Sequence, residues 1–228
     1  VDQWIISKMN TLTKDVTENM DKFELGIAVQ KVYDFIWDEF CDWYIELAKY
    51  RIYHAEENPA AANSALYTLK TVLGDALKLL HPFMPFVTEE IYGALVPEEE
   101  SLMMSSWPEY KESSCYPEAE NIVDHMKEII RGVRNVRAEM NVAPSRKAKT
   151  YIVCENENLC QGFEEIKESS MPLMSANEIQ IQSDKSGIAE DAVSVVVADA
   201  VVYLPMEELV DFEQELERLT KEEARLTK

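Results

Sequence analysis

A mainly α-helical fold, with a helical bundle followed by a small α/β domain and the start of a coiled coil, is predicted by three patterns. Up to residue 147, apolar residues recur at steps of three and four, as on one face of a helix. Short β-branched runs, typical of strands, then follow. The last pattern is a heptad spacing of apolar residues. We therefore expect a bundle over 1–147, an α/β domain over 148–205 and a truncated coiled-coil arm over 206–228.

Four helical segments of the bundle are predicted by their apolar periods. One begins where Asn58 can cap a helix and Pro59 suits its first turn, and it stops at Pro82. A loop rich in Pro, Ser and acidic residues follows the fourth segment. The segments and this loop cover 4–16, 29–47, 58–80, 89–95 and 97–118.

The clearest helix prediction covers residues 121–140, because its apolar residues fall within one narrow stripe at 100° per residue. The stripe consists of Ile122, Met126, Ile129, Val133, Val136 and Met140. Three arginines at 131, 134 and 137 lie off it. Arg131 is opposite the stripe and Arg137 is at its margin, and we expect Pro144 to close the helix.

The α/β domain is predicted from four short strands with one helix, near 159–169, between the first two. A hairpin should turn at Ala198 and Asp199. The expected strands are 149–154, 178–182, 193–197 and 201–204. The heptads that follow run to Lys228 without a cap, and Val1 is not Met, so we expect this chain to be part of a longer one.

A basic patch is predicted within an acidic chain. The formal net charge is −21, which opposes phosphate binding because phosphate recognition needs basic surface. Between 131 and 149, however, six basic residues accompany a single acidic residue. The candidates for phosphate contact there are Arg131, Arg134, Arg137, Arg146 and Lys147. The alternative is pairing with the acidic surface of the bundle.

Neither a catalytic site nor a metal site is predicted. The sequence has no Gly-rich phosphate loop, nucleophile elbow or HExxH motif, and its cysteines and histidines lack metal-ligand spacing. No apolar run approaches the roughly 18 to 20 residues that cross a bilayer, so we expect a cytoplasmic protein with no membrane contact. In a reducing compartment we expect all four cysteines, at 41, 115, 154 and 160, to be reduced thiols.

Several strings of apolar, aromatic and charged residues resemble the C-terminal half of the valyl-tRNA synthetases. The resemblance covers essentially the whole chain. HPFMPFVTEEIY with a later WP is shared with the isoleucyl and leucyl relatives, whereas FCDWYIE, the RxxRxxR spacing and VAPSRK are similar to the valyl branch. The strings are DQWIISKMN at 2–10, FIWDEFCDWYIELAK at 35–49, HPFMPFVTEEIY at 81–92, SLMMSSWPEY at 101–110, IRGVRNVRAEMNVAPSRK at 130–147 and LPMEELVDFEQELERLTKE at 204–222.

This resemblance implies a class I aminoacyl-tRNA ligase whose catalytic and editing domains precede this region, and whose use of ATP and Mg belongs to those domains. The HIGH and KMSKS strings of such enzymes are absent, so we expect no catalysis and no cofactor here. The expected partners are valine tRNA, which the bundle would grip by its anticodon arm, and the other domains of a monomeric parent, but not DNA.

Four residues of the bundle are further candidates for tRNA contact. Trp37 and Tyr44 lie off the centre of the apolar stripe and are equally suited to stacking on unpaired bases or to the core, whereas Phe40 and Trp43 belong to the core. Lys49 and Arg51 end an acidic helix, where they also suit the helix dipole.

Two alternatives to tRNA recognition by a valyl enzyme remain open. One is a helical scaffold that binds protein through its acidic surface and its coiled coil. The other is the equivalent domain of an isoleucyl-type synthetase.

Overall fold

The computed structural model describes residues 1–197 and 199–209, and it confirms a mainly helical fold with one small sheet. The chain divides into two compact units, Val1–Val123 and Asp124–Lys228. The domain boundary predicted at 147 remains a prediction. Among the described residues, no helix is both long enough and apolar enough to cross a membrane.

The described part of unit 1 is helical, with short turns and one irregular stretch after α5. In chain order its elements are α1 (Asp2–Asp21), α2 (Leu25–Asp34), a π-helical segment (Phe35–Ile45), α3 (Glu46–Tyr53), α4 (Pro59–Leu80), α5 (Pro85–Leu95), the 3₁₀ turns Leu102–Met104 and Glu112–Ser114, and the start of α6 (Pro117–Glu139). The helix predicted over 29–47 is therefore longer at both ends and π-helical in its middle. As predicted, Asn58 caps α4 by accepting a hydrogen bond from Ala61 N at 3.0 Å.

The core of unit 1 lies between α1, α4 and the helical run from α2 to α3. Its most buried side chains include Trp4, Ile5, Val16, Val32, Leu47 and Leu79. Phe40 and Trp43 are buried as predicted. A second apolar cluster forms where α5 packs on α4, around Leu77 and Tyr92.

Unit 2 combines most of α6 with a four-stranded sheet. Its remaining elements are β1 (Ala148–Cys154), α7 (Glu157–Met174), β2 (Ala176–Gln182), β3 (Val193–Val197), β4 (Ala200–Leu204) and the helical turn α8 (Met206–Leu209). The strand order is β2-β1-β4-β3, with β1 parallel to β2 and the other pairs antiparallel. All four predicted strands are thus confirmed. Asp199 lies in the turn between β3 and β4, whereas Ala198 and the heptad positions of 210–228 lie outside the described residues.

Gly132 allows α6 to approach β3 closely. A Cβ atom at Gly132 would lie 2.5 Å from Cγ1 of Val195, which is shorter than any normal contact. Ile129 and Ile130 are both fully buried in this part of α6, and the buried residues Met126, Ile130, Val133 and Arg137 follow one another at spacings of three or four. Because these residues are spaced by three or four, they form the helix face turned into the unit.

The expectation that all four cysteines are reduced thiols is wrong for Cys154 and Cys160, which form a disulfide. Cys154 ends β1, and the chain turns at once into α7, whose first turn is capped by the Asn156 side chain. This reversal brings the two Cα atoms to 6.0 Å, within the range that a disulfide spans. Cys41 and Cys115 are half-buried free thiols.

Candidate nucleic-acid interface

The predicted basic patch forms a strip along the C-terminal part of α6 and the loop that joins it to β1. This basic strip consists of Arg131, Arg134, Arg137, Arg146 and Lys147. Arg131, Arg134 and Lys147 are exposed. Arg134 also donates from Nε to the main-chain oxygen of Leu173 at 2.8 Å, which holds its side chain against the end of α7. Within the described part of the chain, Lys147 forms no ion pair. These three cations can meet an anionic ligand from solvent.

The loop after α6 begins with a left-handed cap. Asn141 has φ of 52°, a conformation that asparagine tolerates better than most residues. Its N–H donates to Ala138 O at 3.1 Å, and the N–H of Val142 donates to Arg137 O at 2.9 Å. This is the hydrogen-bond pattern of a Schellman motif, which ends a helix by satisfying its last carbonyls. This motif ends the helix at Glu139, before the stop predicted at Pro144.

Arg137 is turned into the unit, away from solvent. Its side chain is only 6% exposed, and burial lowers the pKa of its guanidinium. Nη2 donates to the main-chain oxygens of Ala143 at 3.2 Å and of Arg146 at 2.5 Å. The same arginine therefore holds the loop through its side chain and through its carbonyl.

Arg146 is half-buried and binds the segment that follows β4. Its Nε donates to Glu208 O at 2.6 Å, and its Nη2 donates to Glu207 O at 3.2 Å. The Glu208 carboxylate accepts from the N–H of Lys149 at 2.6 Å. These bonds fix α8 against the beginning of β1.

Tyr44 and Arg51 belong to a polar cluster around Asp2. Arg51 donates to both carboxylate oxygens of Asp2, from Nη1 at 2.8 Å and from Nη2 at 2.5 Å. The Tyr44 hydroxyl and the Ser64 hydroxyl donate to the same carboxylate, each at 2.9 Å. Burial opposes ionisation of Asp2, but the hydrogen bonds and the charge of Arg51 outweigh it and hold the pKa of Asp2 below its ordinary value.

This cluster gives Tyr44 and Arg51 internal partners. Tyr44 is fully buried, and burial raises the pKa of its hydroxyl, an effect that the Asp2 charge reinforces. The cluster links α1, the π-helical segment, α3 and α4, because each of them contributes one of the four residues. Both side chains are therefore placed to stabilise the bundle.

Most cations of unit 1 lie beside carboxylates. Lys49 donates to Glu46 at 2.5 Å. Three further pairs are Lys31–Asp15 at 2.5 Å, Lys70–Glu98 at 2.9 Å and Lys78–Asp75 at 3.2 Å. A cation that already faces a carboxylate attracts phosphate less, because the two charges offset each other at short range.

Trp37 is 54% exposed and lies beside Tyr33, which is 56% exposed, with ring centroids 6.2 Å apart. Both rings project from the helical run of unit 1. Sequence reasoning singled out Trp37 and missed Tyr33, although a spacing of four on a helix places two side chains on one face. The pair offers an aromatic surface on which a base can stack.

Comparison with known proteins identifies the family. Residues 2–152 match the family model described as the anticodon-binding domain of tRNA ligase. The chain is 47% identical, over 99% of its length, to a valine–tRNA ligase of Clostridium perfringens. The corresponding values are 39% over 100% for the valine–tRNA ligase of Oceanobacillus iheyensis and 38% over 97% for that of Carboxydothermus hydrogenoformans.

In each case the matched region covers 25% of the relative, so the chain spans about a quarter of the length of these proteins. The family model, by contrast, matches well over half of this chain and includes both the helices of unit 1 and the basic strip. The chain therefore belongs to the family of anticodon-binding domains of tRNA ligases.

Proposed function

We propose that this chain binds the anticodon arm of a tRNA and supports the attachment of valine to that tRNA by a valine–tRNA ligase. The observation that carries the proposal is the exposed group Arg131, Arg134 and Lys147. It lies in an otherwise acidic chain and inside the region 2–152 that matches the anticodon-binding family. The names of the relatives favour valine over isoleucine.

In this proposal, contacts with phosphates provide the affinity, and contacts with bases determine which tRNA is bound. Each cation that neutralises a phosphate releases counterions, which makes binding salt-dependent. Base identity is read from unpaired bases, which proteins stack on aromatic rings and hydrogen-bond at their edges. Trp37, with Tyr33 beside it, is the exposed aromatic group that we assign to stacking.

The ligase reaction itself is assigned to other domains of a monomeric, cytoplasmic parent enzyme. Those catalytic and editing domains would bind ATP and Mg, and would activate, transfer and proofread valine. This chain would contribute recognition of the tRNA. A helical scaffold that binds only protein is the competing function, and it predicts no preference among tRNAs.

The first experiment measures tRNA preference. A fluorescence anisotropy titration would compare a transcribed valine tRNA, the same tRNA with a substituted anticodon, and an unrelated tRNA. We expect the valine tRNA to bind most tightly and the anticodon substitution to weaken it. Equal affinity for all three would overturn anticodon recognition and favour the scaffold.

The second experiment tests the strip with a charge-matched control. The triple variant R131A/R134A/K147A removes three exposed cations of the strip, whereas K22A/K31A/K70A removes three cations of unit 1. We expect the first variant to reduce the slope of log affinity against log salt by about 2 to 2.7, since each phosphate contact contributes about 0.7 to 0.9. The control should change the slope far less. Equal slopes in the two variants would contradict the assigned surface.

A further inference from the structure

The conformation of the loop that carries Lys147 depends on a turn at residues 143–146. The N–H of Arg146 donates to Ala143 O at 3.0 Å, which closes a four-residue turn. Pro144 occupies the second position, where proline is favoured because its ring fixes φ. Lys147 follows directly, and Ala148 opens β1. The place of Lys147 is therefore set by the turn on one side and by the sheet on the other.

Arg137 bridges the two ends of this turn. Its Nη2 donates to the carbonyl oxygens of the first and the fourth residue, Ala143 and Arg146. Its own carbonyl accepts from Val142, one residue before the turn. Two hydrogen bonds from Arg137 thus tie the turn to the last helical turn of α6, and a third holds Val142 just before the turn.

Burial of the Arg137 guanidinium beside the turn is energetically unfavourable. Burial lowers the pKa of Arg137, and among the described residues its Nη1 has no hydrogen-bond partner. An apolar side chain of similar length would avoid both costs. Such a side chain would leave the oxygens of Ala143 and Arg146 without their donor, so the position is suited to holding the turn.

The hydrogen bonds extend beyond the turn to α8. Arg146, whose carbonyl is held by Arg137, uses its own guanidinium to bind the main-chain oxygens of Glu207 and Glu208. Arg137 and Arg146 therefore tie the loop before Lys147 to other main chain of unit 2, whereas the bond from Arg134 to Leu173 O joins α6 to the end of α7.

We infer that Arg137 is a positioning residue of the tRNA-binding strip. It does not contact phosphate, and it holds the 143–146 turn so that Lys147 does. The inference rests on the proposed function, and it divides the five cations of the strip into two groups. Arg131, Arg134 and Lys147 face the ligand, whereas Arg137 and Arg146 fix the backbone that presents Lys147.

A double-mutant cycle tests this division. The four proteins are the wild type, R137M, K147M and R137M/K147M, and each is titrated with the transcribed valine tRNA across a range of salt. We expect K147M to lower the salt slope by about one. R137M should lower it by a similar amount, because the turn no longer presents Lys147. The double variant should lose no more than either single variant.

Additive losses would overturn the inference. If Arg137 contacts a phosphate itself, the slope of the double variant should fall by about two, twice the effect of either single variant. R137K is a second variant that keeps the charge but lacks the planar fork of donors. It should behave as R137M if positioning matters, and as the wild type if only charge matters. The latter result would also contradict the inference.

Hydrogen exchange provides a readout that does not require RNA. The amides of Val142 and Arg146 are bonded to the main-chain oxygens of Arg137 and Ala143. R137M keeps these oxygens but removes the side-chain bonds that hold the turn. Both amides should therefore exchange faster in R137M than in the wild type. They should be unaffected in K147M, which serves as the matched control. Unchanged exchange in R137M would overturn the inference even if RNA binding weakened.

The same data separate failure of the inference from failure of the proposed function. If the wild type does not bind the tRNA, the proposed function is overturned and the role of Arg137 toward RNA falls with it. Faster exchange in R137M would then mark Arg137 as a purely structural residue. If the wild type binds but the losses are additive, only the positioning role is wrong.

Discussion

Asp2 and Arg51, 49 residues apart, form an ion pair with two hydrogen bonds that joins the beginning of α1 to α3. The Arg51 side chain is 21% exposed and that of Asp2 is 18% exposed. Removing one partner of such a pair leaves the other charge poorly solvated. We therefore expect the free energy of unfolding to depend on pH through this pair.

We expect D2N to lower the free energy of unfolding by about 2 kcal/mol near neutral pH. Because the pKa of Asp2 is lowered in the folded state, this contribution is complete above the unfolded-state pKa of about 3.9. It is lost as the pH falls through the folded-state value. Urea unfolding at about pH 7, 5 and 3 should show a constant difference between wild type and D2N at the first two values, and a smaller one at the last.

The control for this prediction is D15N, which removes the acid of the more exposed pair Lys31–Asp15. We expect a loss of at most about 1 kcal/mol, since exposed ion pairs contribute little. A D2N loss no greater than that of D15N would show that the cluster around Asp2 is not a stabilising centre.

Gly132 should not tolerate a side chain. In G132A the new methyl group would lie 2.5 Å from Cγ1 of Val195, so α6 or β3 must move, at a cost of about 1 to 3 kcal/mol. Chemical denaturation should show the loss, and G132A/V195A should recover part of it. G93A is the matched control. Nothing lies within 4 Å of a Cβ at Gly93, and alanine favours a helix by up to about 1 kcal/mol. A stable G132A would mean that the approach is looser than described.

The disulfide can be tested by counting thiols. Under denaturing conditions without reductant, only Cys41 and Cys115 should react with a thiol reagent, and all four cysteines should react after reduction. Reduction should lower the free energy of unfolding by about 2 kcal/mol, since the loop that the bond closes is short. The variant C154S/C160S should unfold like the reduced protein, with or without reductant. Four reactive thiols before reduction would contradict the pairing.

Substitutions of Trp37 and Tyr44 should have different effects: one on tRNA affinity and the other on stability. W37A should weaken tRNA binding by about 1 to 3 kcal/mol if a base stacks there, without changing the salt slope, because no charge is removed. Its unfolding should change by less than about 0.5 kcal/mol. Y44F removes the hydroxyl that bonds Asp2, so it should lower stability by about 1 kcal/mol and leave tRNA affinity unchanged. The opposite pattern would reverse the two roles.

Periodicity predicted the helices and strands of the described residues well, because their buried residues recur at helical or strand spacing. It was less able to place single side chains. Trp37 and Tyr44 both lie off the centre of an ideal α-helical stripe, yet one is exposed and the other is buried. The segment between Phe35 and Ile45 is π-helical, and its wider turns rotate later residues relative to a count of 100° per residue.

The basic strip shows a second limit of sequence reasoning. Arg137 was placed at the margin of the stripe through Met126 and Ile129; both of these residues are buried, and Arg137 is buried with them. The apolar stripe alone does not decide whether an arginine at its margin contacts solvent or the loop. Arg137 donates the hydrogen bonds that make this arrangement possible to main-chain oxygens, whose positions no residue pattern reveals.

The strand order has a consequence for synthesis of the chain. β1 pairs with β2 directly after α7, but its other neighbour, β4, begins only at Ala200. At about 5 to 20 residues per second, the ribosome takes roughly 2 to 9 s to pass from the end of β1 to β4. During that interval the βαβ half can already be assembled, while the opposite edge of β1 waits for its partner. The nascent chain thus carries an unpaired sheet edge for several seconds.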